Sequence, residues 1–239
     1  VIAGSGVGSK KAAVNFDQPW DVAYDPFADR ILVADTLAYR LVVLSPEGRV
    51  QKILRASTSP INRPSGLAVH PGDGRVFVVD FDKHQVHCFS SKLELAYSFG
   101  SEGKGEGQLC HPYQMALDVE EDELYITDHS NHRIAVFSTA GQFRRQFGRK
   151  GNRNGQLWFP TGIGFNPRAK EVVVSDYENH RMQFFDRKGT FLRSLGSRGA
   201  GPEELHHPAG VGFDPLLDRV IICDYRNHRI KFLSAASSS

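Results

Sequence analysis

The sequence predicts an all-β protein built from five copies of a four-stranded antiparallel unit. A six-residue pattern, Asp-x-x-Asn-His-Arg, begins at Asp128 and returns after intervals of 48 residues at Asp176 and Asp224. Five prolines keep nearly the same interval: Pro19, Pro64, Pro112, Pro160 and Pro208. The segments between them hold short apolar runs without a sustained helical period, which is typical of strands. A repeat of this length with four short strands predicts a blade of a β-propeller, and we expect helix to be nearly absent.

The elements of one repeat follow in a fixed order, which repeat three illustrates. The first strand, which contains Met115–Leu117, follows Pro112, and the second strand ends at Asp128. The third strand begins at Arg133, and the fourth strand follows the turn at Gly141. Because Gly, Pro and Asp separate the apolar runs, each connection within a blade is predicted to be a short turn.

The two ends of the chain predict how the array closes. After the third strand of repeat five the sequence offers no fourth strand, while Val1–Gly4 has the character of one. We therefore expect the N-terminal strand to complete the last blade and protect its outer edge. The prediction is a single domain over residues 1–233, with five blades of four strands and six blades as the alternative. Residues 234–239 are expected to form a disordered tail.

Composition narrows the class of protein and its location. The chain has 239 residues, a formal net charge of +2 and three cysteines at non-equivalent repeat positions. An odd number of cysteines and the absence of an Asn-x-Ser/Thr sequence favour a reducing compartment, so we expect a cytoplasmic location. No apolar run approaches the roughly 18 residues of a membrane span, and no membrane association is expected. The domain itself is expected to be monomeric.

The repeats resemble a known family. Segments 131–134, 179–182 and 227–230, which read Asn-His-Arg-Ile or Asn-His-Arg-Met, resemble the Asn-His-Leu signature of NHL repeats. The glycine-rich stretches 100–112 and 148–160, each ending in proline, strengthen the resemblance. It covers essentially the whole chain, although repeats one and two keep only parts of the signature. Such propellers follow a RING, a B-box and a coiled coil in tripartite-motif (TRIM-NHL) ubiquitin ligases and also occur in Brat-like proteins. The resemblance therefore implies a target-binding domain of such a ligase.

The recurring six-residue pattern itself is interpreted as scaffold. Asp128 ends one strand and Arg133 begins the next, so the carboxylate can accept amides of the turn and face the guanidinium. A feature used once in each repeat is more economically explained by the fold than by an active site. The predicted structural residues are Asp128, Arg133, Asp176, Arg181, Asp224 and Arg229.

The loops between blades and between second and third strands share one face of a propeller, the top face, and there we expect binding. Basic residues concentrate where the chain leaves repeat three, and aromatic residues flank the prolines. The predicted ligand-binding residues are Trp20, Lys104, Tyr113, Arg149, Lys150, Arg153, Trp158, Phe159 and Arg198. Interleaved charges and rings suit single-stranded or hairpin RNA, because charges follow phosphates and rings stack on bases. The same residue types anchor protein partners, so a protein substrate or adaptor is equally compatible.

Catalysis has weak support in the sequence. No serine, cysteine or carboxylate pair stands out as a nucleophile or acid, and no cofactor is predicted. Histidines 84, 132, 180 and 228 occupy equivalent turns and are not expected to converge on a metal. His111, His206 and His207 leave a metal-dependent lyase or hydrolase as a third hypothesis, but the prediction is that no metal is bound.

Overall fold

The computed structural model describes residues 14–214, Leu217 and 219–234. The chain divides into two compact units, Val1–Gly100 and Ser101–Ser239. Each unit is a succession of small antiparallel sheets in which neighbours in sequence are neighbours in the sheet. We refer to the sheets as blades one to five in chain order.

Unit one contains blades one and two, each with four strands. The strands of blade one are β1 (Pro19–Asp25), β2 (Arg30–Asp35), β3 (Arg40–Leu44) and β4 (Val50–Arg55). Those of blade two are β5 (Pro64–Val69), β6 (Val76–Asp80), β7 (Gln85–Phe89) and β8 (Leu95–Phe99). Apolar side chains of the two blades form one buried cluster, which includes Leu32, Leu41, Ile61, Val78 and Phe89.

Unit two contains blades three to five. Blade three has β9 (Pro112–Asp118), β10 (Glu123–Asp128), β11 (Arg133–Ser138) and β12 (Phe143–Phe147). Blade four has β13 (Pro160–Asn166), β14 (Glu171–Asp176), β15 (Arg181–Asp186) and β16 (Phe191–Leu195). Blade five has β17 (Pro208–Asp214), β18 (Arg219–Asp224) and β19 (Arg229–Ser234). One-turn 3-10 helices precede β11, β15 and β19, at His129–Asn131, Tyr177–Asn179 and Tyr225–Asn227.

Burial explains why the apolar runs form the inner strands of each blade. In blades one to four the second and third strands are almost entirely buried, whereas the fourth strands β12 and β16 alternate between exposed and partly buried positions. In blade five both corresponding strands have exposed residues, among them Ile230 and Phe232. Between blades three and four, Tyr125, Ile134, Val172 and Phe185 pack in one cluster that excludes water from both faces. Blades therefore stabilise one another through apolar faces, as expected of stacked sheets.

The predicted fold class is confirmed: the protein is all-β, with five blades of the propeller type and only single helical turns among the described residues. Each second strand ends at its predicted aspartate, and each first strand begins at the recurring proline itself. Blade five has three strands among the described residues. The predicted closing strand, Val1–Gly4, and most of the predicted tail lie outside the described residues, so closure and the domain limits stay predictions.

Candidate functional site

The turn motif of blade three clamps the loop that enters the same blade. The buried Asp128 accepts the Arg133 Nε–H at 2.7 Å and the backbone N–H of Cys110 at 2.6 Å. Arg133 also donates to the main-chain carbonyls of Lys104, Gly105 and Gln108. One carboxylate and one guanidinium thus hold a glycine-rich loop that has no regular structure of its own. The predicted scaffold role fits this geometry.

Blades four and five repeat the clamp with added donors. Asp176 accepts from Arg181, from Asn179 and from the N–H of Trp158, which lies 2.7 Å away. Gln183 joins them by donating to Asp176. In blade five, Asp224 accepts from Arg229, Asn227 and the His206 N–H, and Lys231 donates to three loop carbonyls. Burial raises the pKa of both Asp128 and Asp176, and the hydrogen bonds from their partners oppose that effect.

Blade two lacks the arginine of the clamp and places a histidine near its aspartate. The sequence suggested a broken pair there, because Gln85 stands where the other repeats have arginine. Instead the buried His87, two residues along β7, places Nε2 3.5 Å from Asp80 and contacts Ser98 through Nδ1. The sequence pattern did not reveal this contact, because His87 stands two residues beyond the arginine position of the motif. Side chains two residues apart on a strand project from the same face, so His87 can approach the same aspartate.

A second device joins consecutive blades of unit two through the histidine of the turn motif. His132 adopts a left-handed conformation, with φ of 56°, and its Nδ1 accepts the N–H of Phe159 at 3.1 Å. His180, with φ of 54°, accepts the N–H of His207 at the same distance. We call these contacts the first junction (blades three and four) and the second junction (blades four and five). Each ties the turn of one blade to the residue before the proline of the next.

The first junction carries an aromatic surface. Phe159 lies 4.4 Å from the His132 ring and 4.9 Å from the His129 ring, measured between centroids. Tyr113 extends the row, with its ring 5.5 Å from that of His129. Trp158 is 39% exposed, and the Lys150 Nζ lies 5.6 Å from the centre of its ring. The predicted rings of unit two therefore lie along this junction, with Tyr113 and Phe159 partly buried and Trp158 the most exposed of the three.

The predicted basic residues of unit two lie on exposed loops. They are Lys104, Arg149, Lys150, Arg153 and Arg198. Within the described part of the chain, none of these five forms an ion pair with a carboxylate. Arg145, which the sequence groups with them, is different because both its terminal nitrogens bind Glu123. Arg149 and Arg153 also line a shallow pocket together with Asn154 and Gln156.

The turn between β9 and β10 of blade three is rich in acidic residues, and several of them form ion pairs. Arg187 binds Asp118, Glu120 and Glu121, and Lys170 lies 3.2 Å from Glu120. These ion pairs offset much of the negative charge of this turn. The five predicted cations of unit two differ from Arg145 and Arg187 in having no described ion pair.

The second junction replaces these rings by imidazoles. His206 and His207 stand where the first junction has Trp158 and Phe159, and their rings lie 5.3 Å and 4.3 Å from that of His180. Tyr177 packs 4.6 Å from His207, whose Nε2 lies 3.6 Å from the Glu178 carboxylate. The sequence weighed His180 only together with the other turn histidines, whereas the structure places it beside His206 and His207. The 48-residue register hides the contact, because His180 meets residues of the following repeat.

Trp20, the predicted binding residue of unit one, is engaged within that unit. The Arg63 guanidinium lies 5.2 Å from the Trp20 ring and 4.8 Å from the Phe81 ring. Trp20 and Phe81 also contact each other edge to face at 5.8 Å. This packing leaves Trp20 partly buried.

Comparison with protein families supports the class of protein that these clamps and junctions indicate. The NHL repeat family matches residues 62–89 and 157–185, which are parts of repeats two and four. The chain therefore contains NHL repeats and has the β-propeller fold. The match to repeat two is notable because that repeat lacks the Asn and Arg of the signature. Comparison with curated protein sequences gave no match.

Several solved structures share the fold at low sequence identity. An auxiliary nutrient binding protein from Bacteroides thetaiotaomicron is 15% identical with a TM-score of 0.69, over 91% of this chain and 60% of its own. Virginiamycin B lyase from Staphylococcus aureus, solved with quinupristin, is 13% identical with a TM-score of 0.62, over 98% of this chain and 73% of its own. A chain of a nidogen/laminin complex is 22% identical with a TM-score of 0.69, over 86% and 74%.

These likenesses show the fold alone. The chain spans about 60% of the length of the nutrient-binding proteins that it matches. Among the described residues, no helix has the length and apolar character needed to cross a membrane.

Proposed function

We propose that the protein is a non-catalytic recognition module that binds a protein partner through the first junction. The observation that carries this proposal is the pairing of an exposed Trp158 with cations that have no described ion-pair partner, Lys150 and Arg153 among them, on a loop held by the Asp176 clamp. Tryptophan and arginine dominate the binding energy of protein interfaces. A loop held by side-chain donors loses little freedom on binding, so its contacts are available without a large ordering cost.

The resemblance to TRIM-NHL proteins extends this proposal to the parent protein. In that architecture the propeller selects the substrate of a ubiquitin ligase whose RING lies in another part of the protein. The presence of NHL repeats and a structural neighbour from a protein–protein complex support a protein ligand. The ligase assignment belongs to the proposal, and a cytoplasmic location goes with it.

A second candidate is binding of single-stranded or hairpin RNA by the same surface. The observation in its favour is the Lys150 ammonium 5.6 Å from the Trp158 ring centre, which places a phosphate-binding charge beside a stacking platform. Asn154 and the carbonyls of the neighbouring pocket would add donors and acceptors for base edges. Affinity for RNA should fall steeply with salt, because every neutralised phosphate releases counterions.

The test is the double variant K150E/R153E. Its matched control is K52E/K92E, which makes the same change in charge at exposed residues of unit one. Pull-downs with each variant, with and without RNase, and binding of labelled single-stranded RNA over a salt series are the measurements. We expect the first variant to lose the partner and the control to retain it.

The outcomes separate the two ligands. Partner recovery that survives RNase but is lost in K150E/R153E supports a protein ligand. Loss on RNase treatment, with direct and salt-dependent RNA binding, supports the second candidate. Equal binding by both double variants would remove the first junction from consideration as the binding surface.

A further inference from the structure

We infer that His180, His206 and His207 of the second junction form a site for a divalent transition-metal ion. Each ring can present one nitrogen such that all three nitrogens lie within 4.8 Å of one another. Imidazole is the ligand preferred by zinc, copper and nickel, so the site belongs to this class of ions rather than to calcium or magnesium. This inference does not depend on the proposed function, which concerns the first junction.

The separations suit an ion after small movements. Zn–N bonds of about 2.0–2.1 Å place tetrahedral ligand nitrogens roughly 3.4 Å apart. The His206 ring is partly exposed, and its structural contact is made by its backbone N–H to Asp224, 2.7 Å away. Its side chain can therefore rotate toward the other two rings without disturbing the clamp of blade five.

The state of His207 favours coordination. Its Nδ1 is buried and has no hydrogen-bond partner among the described residues. The Glu178 carboxylate lies 3.6 Å from the other ring nitrogen and favours a proton there, which leaves the lone pair on Nδ1. A carboxylate that holds a metal-bound imidazole in this way is common around zinc.

His180 sets a limit on the affinity. Its Nδ1 already accepts the His207 amide, and coordination requires the ring to surrender that hydrogen bond. The exchange should weaken binding by about 10- to 100-fold relative to three unengaged imidazoles. Metal binding must therefore compete with a contact between blades four and five.

The first junction provides a built-in comparison. It has the same turn histidine, His132, on the same backbone, but Trp158 and Phe159 occupy the positions of His206 and His207. The double substitution W158H/F159H would install the same three residues there. Histidine tolerates the left-handed conformation required at position 159, as it does at His207 with φ of 52°.

The experiment is calorimetric titration of the tag-free, metal-stripped chain with Zn²⁺, with Co²⁺ absorption as a report on ligand geometry. We expect binding of Zn²⁺ that H206A and H207N each weaken by at least about tenfold, while H228A, at an exposed equivalent turn, leaves it unchanged. E178Q should weaken it less than H207N. W158H/F159H should add one equivalent.

Two results would overturn the inference. One is absence of Zn²⁺ binding by the parent chain in this titration. The other is binding that H206A and H207N leave unchanged while both variants keep the circular dichroism and melting behaviour of the parent.

Discussion

The first and second junctions of unit two use the same main-chain contacts and present different chemistry. In both, the turn histidine accepts the N–H of the residue before proline, and the clamp aspartate accepts the N–H one residue earlier. The side chains at these two positions are Trp158 and Phe159 in one junction and His206 and His207 in the other. Because these hydrogen bonds are made by backbone amides, they do not depend on which side chains stand at the two positions. The hydrogen bonding therefore constrains the residue type at these two positions only weakly.

The largest change in stability is expected from removing the carboxylate of a clamp. Asp176→Ala should destabilise the fold by about 3–5 kcal/mol, because it leaves Arg181 partly buried without its carboxylate and the Trp158 amide without an acceptor. Asp224→Ala should cost less, since its partner Arg229 is more exposed than Arg181. Chemical denaturation measures both, and Asp176→Asn, which keeps an oxygen acceptor, should fall between Ala and the parent. Equal stability of Asp176→Ala and the parent would refute the scaffold interpretation.

The next largest effect should be a difference between the two junctions in how the stability of the fold depends on pH. Burial lowers the pKa of His129 to about 4, and its Nδ1–H donates to the carbonyl of Pro160. A histidine with a depressed pKa binds more protons when unfolded, so its stabilisation is complete above pH ~6.5 and is lost as pH falls toward about 4. Over this pH range the free energy of unfolding should fall by up to about 3 kcal/mol.

The equivalent positions of the other blades suggest a substitution of His129 that the fold should accept. Tyr177 and Tyr225 occupy the position of His129 in blades four and five, so His129→Tyr should fold and should lose part of the acid sensitivity. Urea melts of parent and variant between pH 4 and pH 7 make the comparison. Identical pH profiles for the two proteins would show that His129 does not report on folding.

The contact between blades is expected to be worth less than the clamp. His132→Phe removes the acceptor of the Phe159 amide and should lower stability by about 1–3 kcal/mol, and His180→Phe should do the same at the second junction. His228→Phe is the control, because its side chain accepts no described amide. If all three variants melt alike, the junction hydrogen bonds contribute nothing measurable.

The smallest effect concerns the surface itself. Lys150→Met removes the ammonium near Trp158 and should change stability by no more than about 0.5–1 kcal/mol, as expected for an exposed cation–π contact. Its tryptophan emission should nevertheless shift, because the charge beside the ring is gone. Trp158→Ala identifies the part of the emission that belongs to this residue, since the chain has only one other tryptophan, Trp20.

The sequence predicted the blades well because each depends on local periodicity. First strands beside Pro112 and Pro160 and strand ends at Asp128 and Asp176 follow from the 48-residue interval. It also identified the aspartate–arginine clamp, which lies within six residues. Contacts between repeats were harder to predict from the sequence. The meeting of His180 with His207 requires knowing which blade is the neighbour, and the His87 contact in blade two requires knowing which side chains share a face.

The αL backbone at the residue before proline has a consequence for engineering. Phe159 and His207 hold φ near 50°, and at both positions the amide is fixed by a histidine of the preceding blade. A library that varies these residues and their predecessors would explore new surfaces while every randomised position keeps its anchoring hydrogen bonds. Asn, Asp, His and Gly should be enriched among selected variants at the αL position, and the position before it should accept almost any side chain. The fold is in this sense a display framework with a variable pair at each of the two junctions.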